Sequence, residues 1–304
     1  SAESATYQDG LRLFRTGGYF WWMNETFGVE RVDLLKGPAS ILYGEAPPGG
    51  VINAISKRPT SEPQGMLEIE AGNQQHRQVG IDVSGPVAER DDMRYRMVGL
   101  YRDGEGELNG SEKERYYFAP SLEMDVSDDT TVTFLASVQK DEGVPTTGFF
   151  PALGTLNDSP FGQIDPETNL GQPDYDRLDQ RQVGIGYELE HQINDTWEFQ
   201  QNARYTHLDL ELRNVYPNSF VTPPRSISRG VIDRDGEYDA FNIDNRLIAR
   251  TYTDNTENTL LVGAGYQELN LNYTNRDSFR TLGDGSTFFA NVDTVDLYNP
   301  DYAA

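Results

Sequence analysis

The segment Val29-Glu-Arg-Val-Asp-Leu-Leu-Lys-Gly-Pro-Ala-Ser-Ile-Leu-Tyr-Gly44, continued by Glu45-Ala-Pro-Pro-Gly-Gly-Val-Ile-Asn-Ala-Ile-Ser-Lys-Arg-Pro59, decides how the chain is read. Val29 to Leu35 is apolar with charges at Glu30, Arg31 and Asp33, the pattern of a half-buried strand. Gly37-Pro38 restarts the chain, because Pro38 suits the first position of a short helix over Ala39–Tyr43. Gly44 can take the left-handed conformation that ends such a helix. Pro47-Pro48-Gly49-Gly50 is a rigid turn into a second strand, Val51–Ile55. By spacing alone this is a strand–helix–strand corner that any small α+β domain could carry.

The residues in order are more specific than their spacing. The run Glu-Arg-Val-Asp-Leu-Leu-Lys-Gly-Pro-Ala-Ser-Ile-Leu-Tyr-Gly, then Pro-Gly-Gly-Val-Ile-Asn and Ser-Lys-Arg-Pro, closely resembles the plug domain of TonB-dependent outer-membrane receptors. With Asp9-Gly-Leu-Arg-Leu13 before it and Thr60-Ser-Glu-Pro63 after it, the segment is most similar to the ferrichrome-type, hydroxamate-siderophore branch. The resemblance implies an all-β chain with a small α+β plug, inside an antiparallel transmembrane β-barrel of the 22-strand type. It implies a place in the bacterial outer membrane, in contact with its lipid, and import of a ferric siderophore into the periplasm. The siderophore holds the iron, so no protein-held cofactor is expected. TonB, with its inner-membrane energising complex, is expected to engage an N-terminal segment that lies before Ser1.

Site residues carry over from the family only position by position. Tyr43, in Ile-Leu-Tyr-Gly, matches the tyrosine at the plug's upper tip. Arg15, Thr16, Gly17 and Gly18 fall at the preceding tip, although the loop length there differs from the family pattern. Phe149 and Phe150 take the place of an aromatic cluster in the third external loop, and Tyr216, in Asn-Val-Tyr-Pro, that of a wall tyrosine one loop on. A local role competes at each: Tyr43 as a helix-end residue, Phe149 and Phe150 as a loop cluster that excludes water. Arg31 and Lys36 are expected to pair with wall acids, since a buried charge without a partner is costly.

Outward from this segment, residues 1–60 read as the C-terminal part of a plug and 61–304 as the N-terminal portion of a barrel. Tyr19-Phe-Trp-Trp-Met23 is five large apolar side chains in a row, fitting a buried strand or an aromatic binding wall, with burial the default. After Pro59 the pattern changes to long strands with period two. Val183, Ile185, Tyr187 and Leu189 alternate with Gly184, Gly186, Glu188 and Glu190, and Trp197, Phe199, Ala203 and Tyr205 with Glu198, Gln200, Asn202 and Arg204. The stretches Arg181–Ile193 and Thr196–Leu212 exceed the length of ordinary soluble strands and reach that of tilted spanning ones. Connections near Glu89–Asp92, Ser127–Thr130, Asn194–Thr196 and Asp254–Glu257 are short. They alternate with long ones near Arg102–Arg115, Asp141–Gln180, Arg213–Glu237 and from Asn272 onward. That is the layout of an outer-membrane barrel, here with about nine strands, so the chain reads as a fragment.

Bulk properties bound the alternatives. Of 304 residues 49 are acidic and 25 basic, a net charge of −24 that repels nucleic acid. Cysteine is absent, which excludes disulfides and thiolate metal sites. His76, His191 and His207 have no ligand-type partner at metal spacing in sequence, and no metal site is expected. No nucleophile elbow, phosphate loop or zinc-protease motif occurs, so no catalytic residue is assigned and no enzyme is expected. The loop Asp141–Gln180 carries eight acids against Arg177 alone, which disfavours a strongly anionic ligand. Two readings compete: a receptor of the same family for cobalamin or an oligosaccharide, and a soluble β-rich binding module.

Overall fold

The computed structural model describes residues 5–14, 16–37, 50–145, 149–221, 225–253, 255–281, 287–290 and 292–302. The helix expected over Ala39–Tyr43 lies outside the described residues, as do Arg15 and Tyr43.

A small sheet comes first. β1 (Ala5–Gln8) and β2 (Leu11–Leu13) form a hairpin whose turn is Asp9-Gly10, with φ of 53° and 77°. Two positive φ values match the twist of the flanking strands, and Asp-Gly reaches them at low cost. The strands expected on either side of Gly37-Pro38 form as β3 (Val29–Lys36) and β4 (Gly50–Ser56), which pair antiparallel. β4 also lies parallel to β1, giving the order β2-β1-β4-β3.

The second sheet is a ten-stranded wall. Its strands are β5 (Gln64–Ala71), β6 (Arg77–Val87), β7 (Arg90–Glu105), β8 (Glu112–Ser127), β9 (Thr130–Val144), β10 (Arg177–Gln192), β11 (Trp197–Val221), β12 (Ser226–Tyr252) and β13 (Glu257–Asp277). Each is antiparallel to the next, and a short strand, Asp293–Asp296, adds to β12.

The period-two pattern is turned inside out relative to a protein in water. The face turned toward the plug buries Gln78, Asp82, Arg96, Gln139, Gln182 and Arg204. The opposite face exposes Ile81, Phe118, Phe134, Ile185, Tyr205 and Phe241. Along β10 the two alternate within one strand, Gln182 being 1% exposed and Ile185 59%. Apolar outside and polar inside is the arrangement a lipid surround selects. A soluble sandwich would expose the other face.

Connections depart from expectation at one end. The segments Arg102–Arg115 and Arg213–Glu237, expected as long loops, are mostly strand: β7 runs on to Glu105 and β8 starts at Glu112, while β11 and β12 reach 25 and 27 residues. Their polar residues keep the ladder by pairing across strands, with Arg213 opposite Asp233, so hydrophilic composition there does not mean irregular backbone. Residues 149–176 belong to the long connection that persists. Its Ile164 and Leu170 pack with Ile227 of β12 and with Val295 and Leu297 of the C-terminal segment.

Candidate functional site

The turn before the aromatic run is strained and well tied. Gly18 and Tyr19 both have positive φ, 81° and 74°, and only the first is a glycine. A Cβ on Gly18 would come within 3.2 Å of the Tyr273 ring. The Thr16 hydroxyl donates to the Phe20 carbonyl at 3.0 Å, the Trp21 amide to the Tyr19 carbonyl at 2.9 Å, and the Trp21 indole to the Thr16 carbonyl at 3.1 Å. Beyond the turn, Gln180 donates to the Trp21 carbonyl at 3.1 Å, and Gln182 bonds both the amide and the carbonyl of Met23, at 2.7 and 3.0 Å.

The five apolar residues divide between the two readings of the sequence. Phe20 is fully buried in a cluster with Leu208, Leu210, Leu212, Tyr238 and Ala240. Tyr19 and Trp21 on either side are each 40% exposed, with ring centroids 5.6 Å apart. The Arg234 guanidinium, paired with Asp277 at 3.0 Å, lies 6.0 Å from the Tyr19 ring. Tyr216 is within electrostatic reach of Tyr19, Asp277 and Arg234. The structure thus brings Thr16, Gly17 and Gly18 to the same corner as Tyr216, and adds Tyr19 and Trp21, for which the sequence left burial and an aromatic wall both open.

Phe149 and Phe150 differ in their surroundings. Phe150 packs on the apolar cluster of the long connection, while Phe149 is 64% exposed.

Below the tip, three polar networks join plug and wall. The Asp9 carboxylate, with no exposed side-chain surface, meets Arg58 at 3.0 Å, Arg204 of β11, and both the amide and hydroxyl of Ser56 at 2.8 and 2.7 Å. Arg58 continues to Glu188 of β10 at 2.7 Å. Burial alone would push the Asp9 carboxyl up; Arg204, Arg58 and Ser56 outweigh it and hold it at about 2. Glu25, 1% exposed in its side chain, meets Arg115 at 2.8 Å and Arg102 at 3.3 Å. There too burial opposes ionisation, and the hydrogen bonds from Arg115 and the Phe27 amide bring the carboxyl below its usual value. Lys57 meets Asp82 of β6 at 2.8 Å, and Asp82 also takes Arg96 at 2.7 Å.

These anchors were not anticipated. Arg31 pairs instead with Asp33 of its own strand at 3.2 Å. A lone acid such as Glu25 inside the apolar run Tyr19–Phe27 is a signal that could have been used, since such a charge is kept only with a partner. The partners were illegible, because Arg204 is 195 positions from Asp9.

The histidines also differ from expectation. His207, Asp209 and Glu237 offer ligand atoms within 4.8 Å of one another across β11 and β12. His207 is already engaged by Asp239 at 2.8 Å and Asp209 at 3.2 Å, so its contacts with these two carboxylates account for the grouping.

Two family models match. "TonB dependent receptor-like, beta-barrel" covers residues 117–303, and "TonB-dependent Receptor Plug Domain" covers residues 1–51. The chain is 29% identical over 300 residues to the ferrioxamine B receptor of Salmonella typhimurium (strain SL1344), covering 98% of this chain and 41% of that protein. It is 30% identical over 294 residues to the ferrioxamine receptor of Yersinia enterocolitica (94% and 41%). It is 28% identical over 323 residues to the ferrichrome outer membrane transporter/phage receptor of Escherichia coli K12 (99% and 42%). The chain therefore spans about two-fifths of the length of these relatives. Among solved structures, the ferripyoverdine receptor of Pseudomonas aeruginosa bound to ferripyoverdine superposes with a TM-score of 0.80 at 22% identity, over 99% of this chain and 40% of that one. The open form of the ferric-catecholate import receptor Fiu of E. coli K12 gives 0.82 at 20%, over 98% and 46%. At such identities the superpositions speak to the fold, which they share across the plug sheet and the wall together. An inside-out β wall, a sheet anchored within it by buried ion pairs, and matches to both family models make this chain a member of the TonB-dependent receptor family.

Proposed function

We propose that the protein of which this chain forms part is an outer-membrane receptor that binds a ferric siderophore of the hydroxamate type and imports it into the periplasm. The observation that carries this reading is the tip itself, where Tyr19 and Trp21 stand half-exposed beside Tyr216. Aromatic faces suit the apolar rim of a neutral or cationic ferric hydroxamate, each adding roughly 0.5–1.5 kcal/mol beyond burial. The eight acids of Asp141–Gln180 against Arg177 disfavour a strongly anionic ferric catecholate, although salt screens such charges beyond about 8 Å. The names of the ferrioxamine and ferrichrome relatives point the same way. Iron is cargo, held throughout by the siderophore, and no resident cofactor enters this reading. TonB supplies the energy through a segment outside this chain, and the outward apolar wall meets outer-membrane lipid. A transport receptor, not an enzyme, is the class family membership supports.

Thr16, Gly17, Gly18, Tyr19, Trp21 and Tyr216 form the ligand surface in this reading, with Arg15, Tyr43 and Phe149 as further contacts. Phe150 serves the loop. The test is equilibrium binding of ferrioxamine B and of a ferric tricatecholate to the purified full-length receptor. Preference for ferrioxamine B is expected, with a Tyr19→Ala/Trp21→Ala double change weakening it by roughly one to two powers of ten. Preference for the catecholate, or unchanged affinity in the double variant, would place the substrate class or the site elsewhere.

A further inference from the structure

Phe20 is the residue between the two half-exposed aromatics, and it is fully buried. Its ring lies 5.2 Å from that of Tyr273 on β13 and packs with Leu208, Leu210 and Leu212 of β11 and Tyr238 of β12. Three strands of the wall thus build one socket for one side chain of the plug. The turn that enters the socket is conformationally unfavourable, because Tyr19 holds φ at 74° where a side chain clashes with its own backbone. Such a conformation persists only when its surroundings over-determine it. Here the surroundings are the seated Phe20 ring, the Thr16 hydroxyl on the Phe20 carbonyl, and the Gln180 and Gln182 amides on Trp21 and Met23.

Alternation does the rest. With Phe20 directed into the wall, Tyr19 and Trp21 turn to the other side. We propose that Phe20 is a positioning residue for ligand recognition: seated among Tyr273, Leu208, Leu210, Leu212 and Tyr238, it aims Tyr19 and Trp21 at the mouth without touching the ligand. This rests on the reading of the tip as a ligand surface. It makes affinity depend on a residue that the ligand never meets, and on wall strands β11–β13 as much as on the plug.

The test uses the full-length receptor labelled with fluorotryptophan, its Trp21 fluorine resonance assigned by loss in Trp21→Phe, together with ferrioxamine B binding. Phe20→Ala is expected to shift or broaden the Trp21 resonance in the ligand-free protein and to weaken ferrioxamine B by roughly tenfold. Phe20→Leu, which keeps the socket filled, is expected to restore both. Tyr273→Ala, made on the wall, is expected to reproduce the Phe20→Ala result, so the test survives poor assembly of the plug variant. In a Tyr19→Ala/Trp21→Ala background, Phe20→Ala should weaken binding no further. A Phe20→Ala receptor with lowered thermal stability but an unchanged Trp21 resonance would overturn the proposal, as would a full additional tenfold loss in the double-variant background. A wild-type receptor that ignores ferrioxamine B would refute the substrate reading instead, and the resonance would still decide the role of Phe20.

Discussion

At the scale of single residues, the buried acids of the plug are kept by arginines of the wall. Asp9 is the clearest case, held by Arg58 and by Arg204 of the wall. Its carboxyl is ionised in the folded protein down to about 2 against an ordinary value of 3.8. A depressed value contributes stability that is fully present above about pH 4 and lost as pH falls through about 2, here about 2 kcal/mol. Asp9→Asn is expected to remove that acid-side loss, and to destabilise the receptor at neutral pH by about 3–5 kcal/mol by leaving buried Arg204 without its carboxylate and Arg58 with Glu188 alone. Thermal unfolding of full-length wild type and variant across the acid range checks both; identical pH profiles would refute the assignment. Asp9 itself was legible only as part of a turn, Asp9-Gly10. Its second role needed Arg204, which nothing nearby in the chain announces.

At the scale of elements, the strands follow from the sequence and the long connection does not. Alternation predicted β10 and the lower part of β11 within a few residues, because side chains on a strand take opposite faces whatever lies beyond. The upper parts of β11 and β12 have the charged composition of a loop and yet are strand, because their charges pair across the ladder. In residues 149–176 of the long connection, Asp176 is 4% exposed and accepts from the Val215 and Gln172 amides at 2.6 and 2.9 Å. The nearby guanidinium of Arg229 is taken by Asp293. Burial pushes the Asp176 carboxyl up to about 6, only partly opposed by those amides and Arg229. A raised value reverses the sign: docking of this turn on β11 is strongest below about pH 4 and weakens by up to about 3 kcal/mol as pH rises through about 6. Hydrogen exchange at the Val215 amide, corrected for intrinsic rates, should show protection falling between about pH 4 and pH 6 in wild type and levelling off above that range. In Asp176→Asn the protection should be independent of pH; a wild type equally flat would show that the carboxyl does not govern docking.

At the scale of the whole molecule, the wall exposes its apolar face and buries its polar one, so the protein is organised around lipid outside and a plug within. Short connections gather at one end, with residues 128–129 and 193–196 as tight turns, and residues 149–176 of the long connection lie at the other. Single cysteines in the full-length receptor report the orientation: Asn157→Cys is expected to react with an impermeant reagent on intact cells, and Asp128→Cys and Asp195→Cys are not. The opposite result would invert the topology. The sequence by itself determined the spanning strands and their two faces, because a period of two is a property of the backbone and needs no second surface to be read. It also determined the two strands of the plug on either side of Gly37-Pro38, β3 and β4, since each is an apolar run legible by itself. Only the tertiary structure decided which acids and arginines join plug to wall, and why Phe20 is core while Tyr19 and Trp21 are surface. Those outcomes depend on what stands opposite: Arg204 and Tyr273 reach their partners through pairing of nine strands, at separations where local pattern carries no information.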